Sequence, residues 1–215
     1  KTIFLILFAG CSIPNNAMTE EAPSQELISS VFQDNNQNLK IELTNLSFFE
    51  RRTREASVKV LDMDNRGHGS GAYIRYNGQK LIFTAAHVVD HTTDFYILDI
   101  NGNRVEASVI YADHDMDFAI LRPKEELSIR PIRFKAPNKL NENLVGRSVV
   151  FSGHPGPHSL MTVKGSIAGF ERGAIMVHSF AWLGSSGSCV FDDRGNFIGV
   201  IRALDIGMFR VPQLT

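Results

Sequence analysis

Cysteine is almost missing from this chain: there are two in 215 residues, Cys11 and Cys189. A disulfide-stapled scaffold is therefore excluded, and the fold must rest on core packing. Excess charge is missing too, since 22 basic residues face 23 acidic ones for a net charge of −1. With no long run of like charge, neither a nucleic-acid footprint nor a polyanion-binding arm is expected. Long apolar runs are lacking: the stretch Ile3 to Ala9 is far shorter than the ~20 residues needed to span a bilayer as a helix. Internal repeats and low-complexity tracts are absent. His68, His91, His114, His154, His158 and His178 lack paired metal-ligand spacing, so no metal or cofactor is expected. What remains is a chain with 43% apolar residues, enough to bury a core as one domain or two small lobes.

The amino terminus starts basic, at Lys1, and turns apolar from Ile3 to Ala9, the pattern of a signal peptide. Phe8-Ala9-Gly10-Cys11 resembles the lipobox of bacterial lipoproteins, in which cleavage before the cysteine frees its thiol for a diacylglycerol anchor. The resemblance implies a signal peptide over residues 1–10, a lipidated Cys11, membrane attachment through that lipid, and export to the cell envelope. The alternative is an apolar first strand. Residues 11–54 read as a tether and amino-terminal arm: 12–25 are polar and proline-punctuated. Leu27, Ile28, Val31 and Phe32 have helical spacing, and Leu39 to Phe49 could be helix or strand.

From Ala56 the pattern changes to short apolar runs bounded by turn residues. Val58–Leu61, Gly71–Tyr76, Lys80–Thr84, Phe95–Ile100, Arg104–Tyr111 and Phe118–Leu121 read as strands. Asn77-Gly78 and Asn101-Gly102 are hairpin signals. After a polar, proline-bearing interval from Pro123 to Asn143 come Ser148–Ser152, Leu160–Ile167, Ala174–Val177, Ser188–Phe191 and Phe197–Ile201, the last pair joined at Asp193-Arg194-Gly195-Asn196. Two sets of about six short strands, with no helical period between them, predict two small antiparallel barrels or sandwiches. The first lobe is expected over 55–130 and the second over 131–215.

Three segments carry chemistry. Gly184-Ser185-Ser186-Gly187-Ser188-Cys189-Val190 is a small-residue turn running into an apolar strand, with Ser186 as candidate nucleophile. A serine hydroxyl needs a base to take its proton and a turn that leaves backbone N–H groups free to face an oxyanion. Cys189, inside the apolar run, is read as a packing residue. In Phe83-Thr84-Ala85-Ala86-His87-Val88-Val89 a strand ends in two alanines and delivers a histidine, and imidazole can take a serine proton and return it to a leaving amine. Asp113-His114-Asp115-Met116-Asp117 is an acidic turn entering a strand, with Asp117 at its entrance, where a carboxylate could orient an imidazole.

These segments, in the order His, Asp, Ser, resemble the catalytic blocks of trypsin-like serine peptidases of the chymotrypsin fold, nearest to the Deg/HtrA type. Gly67-His68-Gly69-Ser70-Gly71 is similar to the family's Gly-Ser-Gly strand. Thr84-Ala85-Ala86-His87-Val88-Val89 is similar to its Thr-Ala-x-His-Val-Val, Asp117-Phe118-Ala119-Ile120-Leu121 to its Asp-x-Ala-x-Leu, and Gly153-His154-Pro155-Gly156 to its Gly-x-Pro-x-Gly turn.

The resemblance implies two six-stranded antiparallel β-barrels with the active site between them, and a serine endopeptidase acting on proteins or peptides. It makes Ser186 the nucleophile, His87 the base, Asp117 the orienting acid, and the N–H groups of Gly184 and Ser186 the oxyanion hole. By position, Phe180, Arg202, Ala203 and Leu204 would line the substrate pocket, and an aromatic with no acid favours small or apolar side chains there. Ser185 and Ser188 depart from the family's usual Asp or Asn and second glycine. A protease domain without an appended PDZ domain is expected. The rival readings are a catalytically silent binding module and an esterase using the same triad.

Overall fold

The computed structural model describes residues 4–9, 45–64, 67–137, 139–156, 158–171 and 173–205, with backbone alone at 4–9 and 203–205. The first lobe holds β2 (Ser57–Asp62), β3 (His68–Tyr76), β4 (Gln79–Thr84), β5 (Asp94–Leu98), β6 (Arg104–Asp113) and β7 (Phe118–Pro123). Antiparallel pairing runs β2-β5-β6-β7-β4-β3, and β3 pairs back onto β2, so the strands form a ring. Strand bounds follow the alternation of side chains: along β5, Phe95 and Ile97 are buried while their neighbours are half-exposed. Asn77 and Gly78 both take positive φ (48° and 80°), the backbone a two-residue hairpin turn requires, and Tyr76 pairs with Gln79 across it. A short β8 (Ile132–Arg133) within the proline-bearing interval adds in parallel to β3.

The second lobe is built from β9 (Ser148–Gly153), β10 (Met161–Glu171), β11 (Ala174–His178), β12 (Cys189–Asp192) and β13 (Phe197–Asp205), all antiparallel neighbours in the order β11-β10-β9-β12-β13. Its sixth strand comes from the far end of the chain. β1 (Phe4–Ala9) fills the gap between β11 and β13 and closes the barrel. β1 is parallel to both neighbours, so like the β3–β8 pair it departs from the wholly antiparallel expectation. Since β11 and β13 run the same way, a strand between them is parallel to both or antiparallel to both. The backbone of Phe4–Ala9 thus takes the strand alternative that the sequence left open beside the signal-peptide reading. Cys11 and residues 12–44 lie outside the described residues.

Where the sequence left helix or strand open, a helix begins: α1 (Phe48–Glu55) starts at a capping box in which Ser47 accepts from the Glu50 N–H and Glu50 accepts from the Ser47 N–H. It clamps the two lobes. Arg54 Nη1 donates to the Leu160 carbonyl at 2.9 Å, and the Ser57 hydroxyl just beyond the helix donates to the Ser152 carbonyl at 3.0 Å. Between the barrels lies an aromatic core centred on Phe83, with ring centroids 5.2 Å from Phe118, 5.8 Å from Phe197 and 5.9 Å from Phe134. Strand β4, which leads to His87, and strand β12, which follows Ser186, pack on this shared core.

Candidate active site

Strand β4 ends at Thr84, and the chain must turn outward at once. Ala85 and Ala86 are fully buried, so only small side chains fit at this exit. A single 3₁₀ turn over Ala86–Val88 then presents His87, its side chain 42% exposed. On the next element Asp117 stands before β7 with φ 49°, a left-handed conformation uncommon outside glycine. That strained turn is held by Asp113, whose carboxylate accepts the Met116 N–H at 2.9 Å, while Asp115 is exposed.

The turn aims Asp117 at His87 twice: Oδ1 accepts the His87 backbone N–H at 2.9 Å, and Oδ2 lies 2.7 Å from the ring Nδ1. Burial pushes the Asp117 carboxyl pKa up, but the two hydrogen bonds from His87, and the Arg202 guanidinium with Nε 3.6 Å from Oδ2, outweigh it and hold the group below the usual carboxylate range. Near neutral pH it is an anion that fixes the imidazole with Nδ1 as donor and leaves Nε2 facing outward.

Ser186 is half-buried on the turn between Leu183 and Ser188. Gly184 (φ 93°) and Gly187 (φ 82°) are both left-handed, and space as well as dihedral demands glycine. A Cβ on Gly184 would fall 2.6 Å from the His154 carbonyl oxygen, and one on Gly187 3.0 Å from the Ala85 nitrogen. The turn is therefore pressed against the segment that carries His87. Ser185, Gly187 and Ser188 each donate their N–H internally, to Trp182, Ile201 and Ser185 carbonyls, whereas the N–H groups of Gly184 and Ser186 donate to nothing among the described residues. The peptide joining Leu183 to Gly184 is oriented because the Leu183 carbonyl accepts the Gly156 N–H. In a trans peptide that directs the Gly184 N–H the opposite way. The Ser186 Oγ makes no hydrogen bond among the described residues.

Both departures in the serine turn have a packing reason. Ser185 is buried, and its hydroxyl accepts the Trp182 N–H at 3.3 Å, tying the turn from inside. Ser188 is fully buried, and it fits because Gly153 opposite it has no side chain to collide with its Oγ. Cys189 is 1% exposed with its thiol toward the Phe83 carbonyl, and burial pushes its pKa far up, which makes it a packing group.

Some residues do more than their sequence showed. Ser70, read only as part of a glycine-rich strand, joins the lobes at the serine turn. Its N–H donates to the Ser186 carbonyl at 2.7 Å, its hydroxyl donates to the Gly184 carbonyl at 2.7 Å and accepts the His154 N–H at 2.8 Å, and its carbonyl accepts the Thr84 hydroxyl at 2.7 Å. Its spacing between two glycines was the available signal. His68 Nε2 meets the His154 carbonyl at 3.1 Å behind the same turn. Arg202, expected along a pocket wall, places its guanidinium Nε 3.6 Å from Asp117 Oδ2. Phe180 is 55% exposed, and Trp182 and Leu183 beyond it are exposed as well. The side chains of Ala203 and Leu204 lie outside the described residues.

Two β-barrels, with a carboxylate-held histidine at the edge of one and a glycine-flanked serine turn at the edge of the other, define the trypsin-like fold class. The chain belongs to the trypsin-like peptidase domain family, matched over residues 69–200. It is 28% identical to protease Do-like 1, chloroplastic, of Arabidopsis thaliana, over 90% of this chain and 44% of that protein. To a probable periplasmic serine endoprotease, DegP-like, of Bartonella henselae it is 26% identical, over 91% of this chain and 39% of the other. The serine protease Do-like HtrA of Lactobacillus helveticus is 25% identical over 72% and 40%. The chain thus spans less than half the length of these relatives. The solved structure of the serine endoprotease from Yersinia pestis shares the fold with a TM-score of 0.56 and 22% identity, over 72% of this chain and 57% of that one.

Proposed function

We propose that this chain is a serine endopeptidase that cleaves protein or peptide substrates through an acyl-enzyme. The observation that carries the reading is the double grip of Asp117 on His87 beside a serine turn with two N–H groups left undonated. In the first half-reaction Ser186 Oγ attacks the scissile carbonyl carbon as its proton passes to His87 Nε2. The oxyanion is received by the N–H groups of Gly184 and Ser186, the imidazolium is stabilised by ionised Asp117, and the proton is then given to the leaving amine. Water repeats the sequence to release the acyl group. Arg202 acts here as a second support for Asp117, which leaves Phe180, Ala203 and Leu204 to shape a pocket for small or apolar side chains.

The names of the relatives, one periplasmic, support export to the cell envelope, with Cys11 as a lipid attachment point where the chain is cleaved before it, a step that would take Phe4–Ala9 out of the barrel. Loss of radiolabelled palmitate incorporation on Cys11→Ser checks the anchor. Catalysis is checked with a fluorophosphonate probe: the parent chain labels, and Ser186→Ala and His87→Ala do not. If the parent stays unlabelled, the chain is a silent binding module. A labelled parent that hydrolyses esters but leaves casein intact is an esterase.

A further inference from the structure

Away from the His87–Ser186 cleft, α1, β8 and the β12–β13 turn enclose an open groove of about 670 Å³ whose lining includes six basic side chains and no acidic one. In a chain of net charge −1 that composition is a strong local segregation of charge. Five of the cations, Arg75, Arg130, Arg133, Lys135 and Arg194, have no acidic partner among the described residues. By contrast, elsewhere on the surface Lys80 pairs with Glu126 and Lys124 with Glu106. Arg52, the sixth, is engaged with Glu55 and with the Arg130 and Pro131 carbonyls.

Arg75 and Arg133 are direct partners in the parallel β3–β8 pair, so two like charges stand side by side on one exposed face. Such a pair destabilises a sheet unless something anionic covers it. The groove also has an apolar side: Phe48 is 75% exposed at its edge, and Phe134 is half-buried in its lining.

We propose that this groove docks an acidic peptide segment of a partner protein, its carboxylates on the arginines and an apolar side chain against Phe48 and Phe134. Charge complementarity selects the anion, and the mixed lining selects the kind. A polyphosphate would neutralise the rim and leave the phenyl rings in water, and a flat anionic bilayer would not reach into a concavity. The site goes beyond the peptidase reading and holds whether or not Ser186 is a nucleophile.

The test uses the full chain carrying Ser186→Ala, so that bound peptide is not consumed. The probe is a fluorescent Glu-rich peptide with a central Phe, compared with its Gln counterpart by anisotropy. The Glu peptide is expected to bind, to weaken as salt rises, and to bind about tenfold more weakly to Arg75→Glu with Arg133→Glu. Lys135→Glu with Arg194→Glu reads the part of the lining toward the β12–β13 turn, with a loss of similar size. Arg133→Glu alone turns repulsion into attraction across the strand pair, so its melting temperature should rise by about 1–3 °C, which also confirms that it folds. Equal binding by parent and both double variants overturns the proposal. A Glu peptide that does not bind also overturns it, as does stronger binding of polyphosphate or phosphatidylglycerol vesicles than of the peptide.

Discussion

Behind the serine turn, His154 is 8% exposed and its Nε2 has no hydrogen-bond partner among the described residues. Burial, followed by the nearby charges of Lys59, His68 and Arg54, lowers its pKa to about 4. The folded pKa lies below the unfolded value of ~6.5, so the unfolded chain binds the proton first. The stability from this residue is full above pH ~6.5 and is lost as pH falls toward about 4. Between pH 7 and pH 5 the loss should be about 2 kcal/mol, read from urea midpoints, and His154→Asn should flatten that part of the profile. Ser70 is the other testable position. Ser70→Ala removes the hydroxyl bonded to the Gly184 carbonyl and the His154 N–H. Turnover of a peptide substrate should drop by about tenfold with KM little changed, whereas a purely structural loss would move the melting temperature and leave turnover of the folded fraction intact.

Among the elements, the β12–β13 hairpin bears most directly on the site. Its turn residues Asp193 to Asn196 were legible as hairpin chemistry, but the group that fastens the turn is the preceding residue. The Asp192 carboxylate, 1% exposed, accepts the backbone N–H groups of Arg194 and Asn196 and the Asn196 side-chain amide. Asp192→Ala would strand those donors at a cost of about 2–4 kcal/mol, measurable as a lowered urea midpoint. Peptidase activity should fall with it, because β13 carries Arg202 and accepts the Gly187 N–H at Ile201. Other strands were readable because alternate side chains turn to opposite faces. β8 was not, since two residues inside a proline-bearing interval show no period, and pairing with distant β3 alone makes them a strand. The same limit applied to Leu39–Phe49, where local pattern did not separate helix from strand and the capping box at Ser47 marks the helix start.

At the scale of the molecule, two barrels hold one cleft in register because Phe83, 3% exposed, packs against rings from both. Phe83→Ala should destabilise the fold by about 3–5 kcal/mol. If the aromatic core couples the lobes, near- and far-ultraviolet circular dichroism will lose signal in a single lower transition. Separate transitions for the two barrels would show that the core does not couple them.

By itself the sequence determined the class of fold and pointed to His87, Asp117 and Ser186 as the candidate site. Strand periodicity and small-residue spacing are local properties, and the blocks around His87, Asp117 and Ser186 each carry their own steric signature of alanines, an acidic turn and paired glycines. Only the tertiary structure decided which groups meet from afar: Ser70 with Gly184 and His154, Arg202 with Asp117, Phe4–Ala9 with β11 and β13. It also decided where charge gathers. A chain balanced at −1 gave no sign of a cationic surface, because its arginines are scattered from position 52 to position 194 and become neighbours only when the strands and α1 pack.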